Sequence, residues 1–457
     1  MTSKVKKISL FLLVLLVVSA IDSIRNLPAA ALFGSSLIFF FLFAAVTFLI
    51  PTALISARLS SLMPEHGGVY HWMTKAFGPK IGMLSIWLQW INTMVWYPTI
   101  LAFIAGIAAY LFKPELATNV VYLIIAILSI FWGLTLINLK GLHLTAKINS
   151  ICGLIGTLFP LCLLIGLGVF WIGSNRSLEI SFDLSSIVPN LLKLDNWVSL
   201  TAIMASFLGI ELSGVHINDI KDPQKNFPKA MLYSSLILLS TMLFGSLAIA
   251  MVIPKGDLSL ISGVIQVFEK FFSSFSIPWF SPIMAFLIVI GSIGSIINWL
   301  ISPAKGLYHA SEYGFLPNYF KKKNKSGVPS RILITQAILV SILSLVFFLV
   351  PNVNSFYWFL TGLSTNLYMA MYFLMFLSSI KLEQIFKNRQ VSFKIPFGKT
   401  GLYACTILGL IGSTITILVG FIPPDALQIS VTKYSLLMIG GCAVVLSPLI
   451  PLLKRKG

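Results

Sequence analysis

The sequence predicts an all-α integral membrane protein of twelve transmembrane helices, and three observations carry that expectation. The 457-residue chain is 57% hydrophobic and only 10% charged, with a mean hydropathy of +0.93, whereas soluble domains carry about 25% charged residues. Apolar runs of about 20 residues, the length that crosses a hydrocarbon core, recur from one end to the other. The polar connections read as loops rather than as a soluble domain. Finally, the 32 Lys and Arg residues sort by side: with the N-terminus cytoplasmic, 25 fall in inside segments, six in outside segments, and Arg25 alone falls within a span. That asymmetry is the positive-inside pattern and sets the orientation.

The spans fall at about 8–33, 36–57, 80–112, 120–138, 147–172, 196–216, 229–253, 281–308, 331–350, 353–379, 400–422 and 434–453. An even number returns both termini to the cytoplasm, so the chain is expected as a single multi-pass domain of the cell (inner) membrane. Between spans two and three, "RLSSLMPEHGGVYHWMTKAFGPKIG" is too polar to span and too aromatic for a bare linker. It reads as a short in-plane helix. The stretch 253–279 is partly amphipathic and is expected to lie across the outer face. The start, "KVKK" followed by an apolar run and "VSA", also has the form of a signal peptide; removing it would destroy the correspondence described next.

Two spans are interrupted in matching places. Span one carries "SAIDSIRNLP", and span six carries "ASFLGIELSGVH" with Gly209, Gly214, Ser206, Ser213 and Glu211. They are the first members of two successive sets of five, which predicts inverted repeats at 8–172 and 196–379, with two further helices at 400–453. Transporters built this way bind substrate where the paired helices break. An ionised side chain at mid-membrane costs roughly 2.5–3.5 kcal/mol on insertion scales, so Asp22 and Arg25 need a reason. They are three residues apart, on one helical face. Either they neutralise one another, or Arg25 faces the cavity and takes a substrate carboxylate, or it reaches to the interface. Pro28 removes a donor and would end the preceding helix, and Ser23 and Asn26 complete the first break. Glu211 either pairs across the breaks or carries a proton; Asp22 and Glu211 are the candidates for proton coupling or gating.

Further wall candidates are aromatic. "WLQWINTMVWYPTILAF" offers Trp90, Trp96 and Tyr97, and "TNLYMAMYF" offers Asn366, Tyr368 and Tyr372, the last two sharing a helical face. The alternative is ordinary helix–helix packing. The five histidines, His216 and His66, His71, His143 and His309, show no metal-ligand spacing. The four cysteines sit in apolar runs without a CxxC pair. No metal or cofactor is expected. Hydrolase, zincin and P-loop signatures are absent, which argues against an enzyme, and the basic run "KKKNKSGVPSR" reads as a membrane-side anchor rather than a nucleic-acid site.

From "GIELSGVHINDIKDPQKNFPKAML" onward the chain resembles the glutamate/GABA antiporter branch of the amino acid–polyamine–organocation superfamily. The likeness continues through "PEHGGVYHW", "MVIPKGDLSLISGVIQVF", "SIINWLISPAKGLY" and "NKSGVPSRILITQ" in the right order. It implies a LeuT-like fold of five plus five helices and two more, alternating access, and amino acid exchange, often with proton consumption inside. It also implies substrate held against the two breaks, walls from spans three, eight and ten with Trp299 lining the cavity, and Glu211 in proton sensing or gating. The residues this chain places there are Ser23, Arg25, Asn26, Ser206 and Gly209 at the breaks and Tyr97, Tyr368 and Tyr372 on the walls. Two departures, Ser295 for an acidic residue and Arg25 for an aromatic one, make the cavity more positive and favour an anionic or zwitterionic substrate. A folded C-terminal plug found in that branch is not expected here. Proton-coupled uptake of neutral amino acids and a non-transporting sensor remain the alternatives, and the oligomeric state stays open. Expected partners are amino acids, protons and the bilayer, with no nucleic acid.

Overall fold

The protein is described here by a computed structural model covering residues 8–63, 68–140, 152–212, 220–346, 353–387, 389, 393–424, 427 and 429–455. Ser213, Gly214, His216, His66 and His143 lie outside the described residues. Helix dominates throughout. Among the described residues, nine helical runs are long and apolar enough to cross a membrane, with two shorter apolar helices beside them. Their apolar side chains face outward as well as inward. Val121, Ile125 and Leu136, and Leu436, Ile439 and Val444, are all exposed, as expected of helices bathed in hydrocarbon.

The first run consists of α1 (Leu10–Ile21), a 3₁₀ turn at Ile24–Asn26 and α2 (Leu27–Ala31). The second joins α3 (Leu37–Ala44) to α4 (Ile50–Leu62) through a π turn at Ala45–Leu49. A second π turn, Leu154–Leu158, precedes α8 (Phe159–Gly173). A proline, Pro51 or Pro160, stands two residues after the end of each π turn. A missing N–H at that point leaves a carbonyl that a widened turn accommodates.

A short helix, α5 (Val69–Phe77), occupies the stretch after span two where an in-plane helix was expected, and buries Val69, Tyr70, Trp72, Met73 and Ala76. It leads into α6 (Pro79–Ala109), the most enclosed long helix, with 89% of its apolar window buried. α7 (Val120–Leu139) follows. Span six is represented by α9 (Ser199–Ala205), after which the helix breaks. The longer helices that follow are α10 (Pro223–Ala250), α11 (Gly263–Ser274), α12 (Ser281–Glu312), α13 (Ser330–Leu345), α14 (Val353–Ile385), α15 (Gly398–Val419) and α16 (Val431–Leu446). The amphipathic α11 corresponds to the segment expected across the outer face, its Val264, Phe268, Phe271 and Phe272 buried.

α6 packs between α12 and α14, and α10 packs along α1, α2, α4 and α8. The π turn before α8 crosses α12 with backbones touching. A Cβ on Gly156 would lie 2.3 Å from the Gly291 nitrogen, and one on Gly291 would lie 2.2 Å from the Gly156 carbonyl carbon. Arg58 near the end of α4 is tied to α14 by a forked ion pair with Glu383, 2.7 Å at its shortest.

Candidate binding site between two broken helices

The first break falls at Asp22 and Ser23. Asp22 has φ −66°, ψ 100° and Ser23 φ −118°, ψ 105°, both extended. Short polar side chains of this kind compete with the helical ladder. The helix restarts with Pro28 in the first turn of α2, where a proline lacks a donor the helix would not use. Pro28 therefore starts the second half-helix rather than ending the first. The second break begins after Ala205. Ser206 to Gly209 form turns, and Gly209 adopts φ +102°. Glycine is required there twice over, because a Cβ would also sit 2.7 Å from the Trp299 ring.

Trp299 joins the two breaks. Its indole N–H donates to the Ala20 carbonyl at 2.8 Å, satisfying an acceptor that the end of α1 leaves free, while its ring covers Gly209. The ring also meets Trp96 and Tyr368, with centroids 5.3 and 6.4 Å away. At the second break the Gly209 N–H donates to the Tyr372 hydroxyl at 2.8 Å. Protein side chains thus take the freed backbone groups of Ala20 and Gly209, of which Gly209 was expected against substrate.

A cavity of about 30 Å³ lies between the breaks, room for only a water or two. Ser23, Arg25, Asn26, Trp299 and Tyr368 are on its wall, together with Asn92, Trp96, Ser295, Thr361 and Ser364. Arg25 is buried, 2% exposed. Its Nη1 donates to the Thr99 hydroxyl at 2.8 Å and to the Tyr357 hydroxyl at 3.0 Å. The guanidinium carbon lies 5.4 Å from the Trp96 centroid and 5.7 Å from that of Tyr357, which offsets part of its desolvation. No carboxylate pairs with it among the described residues, so the pairing with Asp22 is not what holds it. Three buried polar atoms of these wall residues have no hydrogen-bond partner among the described residues: Arg25 Nε, Asn92 Oδ1 and Thr361 Oγ1.

The other expected residues lie elsewhere. The Tyr97 hydroxyl donates to the Trp299 carbonyl at 2.9 Å, with its ring against Phe131. Ser206 donates to the Ala202 carbonyl at 3.2 Å. Glu211 is held in a cage: Oε1 accepts from Tyr368 at 2.6 Å and from Gln89 Nε2 at 3.0 Å, and Oε2 accepts from Tyr372. Asp22 points away from the cavity toward α10, where it meets Thr241. Asn366 faces Gly420, just past the end of α15.

Gln89, Asn92, Thr99, Thr241, Tyr357, Thr361 and Ser364 were missed by the sequence reading. Several were legible as stripes: Gln89, Asn92, Trp96 and Thr99 recur at helical spacing on α6, and Tyr357, Thr361, Ser364, Tyr368 and Tyr372 do so on α14. A second cleft, about 330 Å³, opens beyond the end of α2 among Phe33, Gly34, Glu179, Asp195, Lys255 and Pro424.

The profile of the amino acid permease family matches residues 8–445, nearly the whole chain. The chain belongs to the amino acid permease family. An uncharacterized transporter of Legionella pneumophila is 38% identical to this permease over 452 residues, 99% of this chain and 97% of the relative. A glutamate/gamma-aminobutyrate antiporter of Lactococcus lactis subsp. lactis is 28% identical over 427 residues, 92% of this chain and 85% of the relative. A probable agmatine/putrescine antiporter of the same subspecies is 25% identical over 453 residues, 99% and 95% respectively. This permease is therefore a multi-pass membrane transporter and not an enzyme.

Proposed function

We propose that this permease is a secondary active amino acid antiporter of the glutamate/GABA type, taking an anionic or zwitterionic substrate at the cavity between the two breaks. The observation that carries this reading is the buried Arg25 guanidinium on the cavity wall, with no protein carboxylate beside it among the described residues. A buried, unpaired charge is strongly unfavourable, and a substrate carboxylate is the partner that corrects it, bonding at Arg25 Nε. Asn92, Thr361, Ser364, Ser23 and Asn26 then supply neutral polar contacts, and Trp96, Trp299 and Tyr368 enclose the rest. Arg25 also disfavours cationic substrates of the kind named for the agmatine/putrescine relative.

The cavity is too small for an amino acid, so this is the closed member of an alternating-access cycle. In our reading twelve spans form a LeuT-like arrangement, with repeats at 8–172 and 196–379 and two added helices at 400–453. Both termini face the cytoplasm by the Lys/Arg asymmetry, the protein resides in the inner cell membrane, and the wider cleft beyond α2 opens outward. Labelled glutamate entry into proteoliposomes, empty or preloaded with unlabelled glutamate, tests the reading. Entry confined to preloaded vesicles is expected of exchange, and Arg25→Ala should raise the KM for glutamate at least tenfold, about 1.4 kcal/mol. No entry into either set, or an unaltered KM in the variant, would overturn the anionic-substrate reading.

A further inference from the structure

We propose that Asp22 is the proton-binding site of this transporter, carried in the closed state as a neutral acid that donates to Thr241, while Glu211 stays ionised. The proposal rests on the transport reading above and names the residue that would couple it to protons. It follows from counting donors and acceptors at two carboxyl groups that are about equally buried, each 1% exposed.

Glu211 accepts from three donors, Tyr368, Tyr372 and Gln89. Each tyrosine has one hydroxyl proton, and each tyrosine oxygen in turn lies on an N–H, that of Gln89 at 3.3 Å for Tyr368 and that of Gly209 at 2.8 Å for Tyr372. Every donor in this cage is used when Glu211 carries no proton. A proton on Glu211 would turn one of these acceptor positions into a second donor facing a hydroxyl.

Asp22 presents the opposite count. Its Oδ1 has no partner among the described residues, and its Oδ2 lies 3.0 Å from the Thr241 hydroxyl. That hydroxyl also lies 2.8 Å from the Ile237 carbonyl, the usual back-bond of a helical threonine. One proton cannot serve both. An ionised Asp22 would hold a buried charge on at most one shared donor, with about four lone-pair positions to fill. A protonated Asp22 donates to Thr241 Oγ1 and lets Thr241 keep its bond to Ile237.

No charge in the neighbourhood alters this count. On its own run Arg25 is turned to Thr99 and Tyr357, and no Lys, Arg or His nitrogen comes within 4.0 Å of Asp22 among the described residues. The helices packed on α1 and its break are α10, α12, the turn before α8, and α9. Their titratable side chains are Lys225, Lys229 and Tyr233 near the start of α10; Lys305, Tyr308, His309 and Glu312 near the end of α12; Cys152 and Cys162 flanking the start of α8; and Glu211 in its tyrosine cage. Among the described residues, the only side-chain bond to Asp22 is that of Thr241. Because Asp22 sits at the joint where α1 ends, a movement of α1 away from α10 exposes it to water, and the proton leaves to that water as the acid becomes a carboxylate.

Infrared spectroscopy of the purified transporter at neutral pH reads the state directly, through the carbonyl stretch of a protonated carboxyl group. The expected result is a band present in the wild type, lost in Asp22→Asn and kept in Glu211→Gln. A band kept in Asp22→Asn and lost in Glu211→Gln, or no such band in the wild type, would overturn the proposal. If Asp22→Asn does not fold, Thr241→Val decides: removing the acceptor should move the band to higher frequency, and an unmoved band would refute the assignment. Glutamate exchange by the wild type is measured in the same preparation. Absence of exchange would sink the transport reading while the band still judges Asp22.

Discussion

Gly209→Ala isolates the contact that joins the two breaks. The backbone at this position has φ +102°, a conformation that holds an L side chain only at a cost of about 1–3 kcal/mol. The new Cβ would also meet Trp299 Cζ2 and Cη2 at 2.7 and 2.8 Å, so the indole must shift. Its 2.8 Å bond to the Ala20 carbonyl then weakens or breaks, and such a bond contributes about 1 kcal/mol. The two effects together predict a loss of about 2–4 kcal/mol in unfolding free energy, measured by SDS titration from mixed micelles. They are separable in a double-mutant cycle. Trp299→Phe removes the two ring atoms that clash and the N–H that bonds Ala20, so in that background Gly209→Ala should cost only the backbone part. The coupling should be about 1 kcal/mol, outside the ~0.3–0.5 kcal/mol within which independent sites add. Additive single-mutant costs would refute the idea that Trp299 and Gly209 act as one joint.

Other outcomes follow from the same geometry. Thr361→Val removes a hydroxyl that has no partner among the described residues; stability should change by less than ~0.5 kcal/mol, while glutamate KM in proteoliposomes rises severalfold, and an unchanged KM would take Thr361 out of the site. Tyr372→Phe deprives both the Gly209 N–H and Glu211 Oε2 of a partner, so the SDS midpoint should fall by the equivalent of about 1–3 kcal/mol. Arg58→Lys replaces a fork on Glu383 and a 2.6 Å bond to the Phe393 carbonyl with a single ammonium. The pair is partly exposed, 11% and 24% at its side chains, which limits the expected cost to about 1 kcal/mol in the same titration.

The two interruptions were legible in the sequence because charged residues and clustered glycines are costly inside a continuous spanning helix. The position of the first was not. Pro28 stood out as the helix breaker, yet the chain opens at Asp22 and Ser23 and places Pro28 where its missing donor costs nothing. Partners were harder still to read. Arg25 and Asp22, three residues apart, left a mutual pair as one of three open readings. Their contacts lie 74, 332 and 219 residues away on α6, α14 and α10, and local spacing carries no information about which distant face arrives. Tyr368 and Tyr372 illustrate the same limit. Their shared face was evident from a four-residue interval, but the group that occupies it is Glu211, brought in by a break whose geometry depends on Gly209.

The bonds around the cavity also indicate what must part for substrate to enter. The half-helix α2 is tied through Arg25 to Thr99 on α6 and to Tyr357 on α14. The other half, α1, is tied by the Trp299 indole to Ala20, by Asp22 to Thr241, and at its start by the Lys221 N–H to the Ile8 carbonyl. Each set ties down one side of the small cavity between the breaks. Arg25 Nε takes part in none of the first set and has no partner among the described residues, but it is buried, so a carboxylate reaches it only once the wall around it has moved. Release on the α1 side instead requires Trp299, Thr241 and the Ile8 contact to give way. The same movement uncovers Asp22. Under the proton site proposed above, substrate exit toward that end and loss of the proton from Asp22 would be one event, because the joint beside the cavity is also the joint that buries the acid.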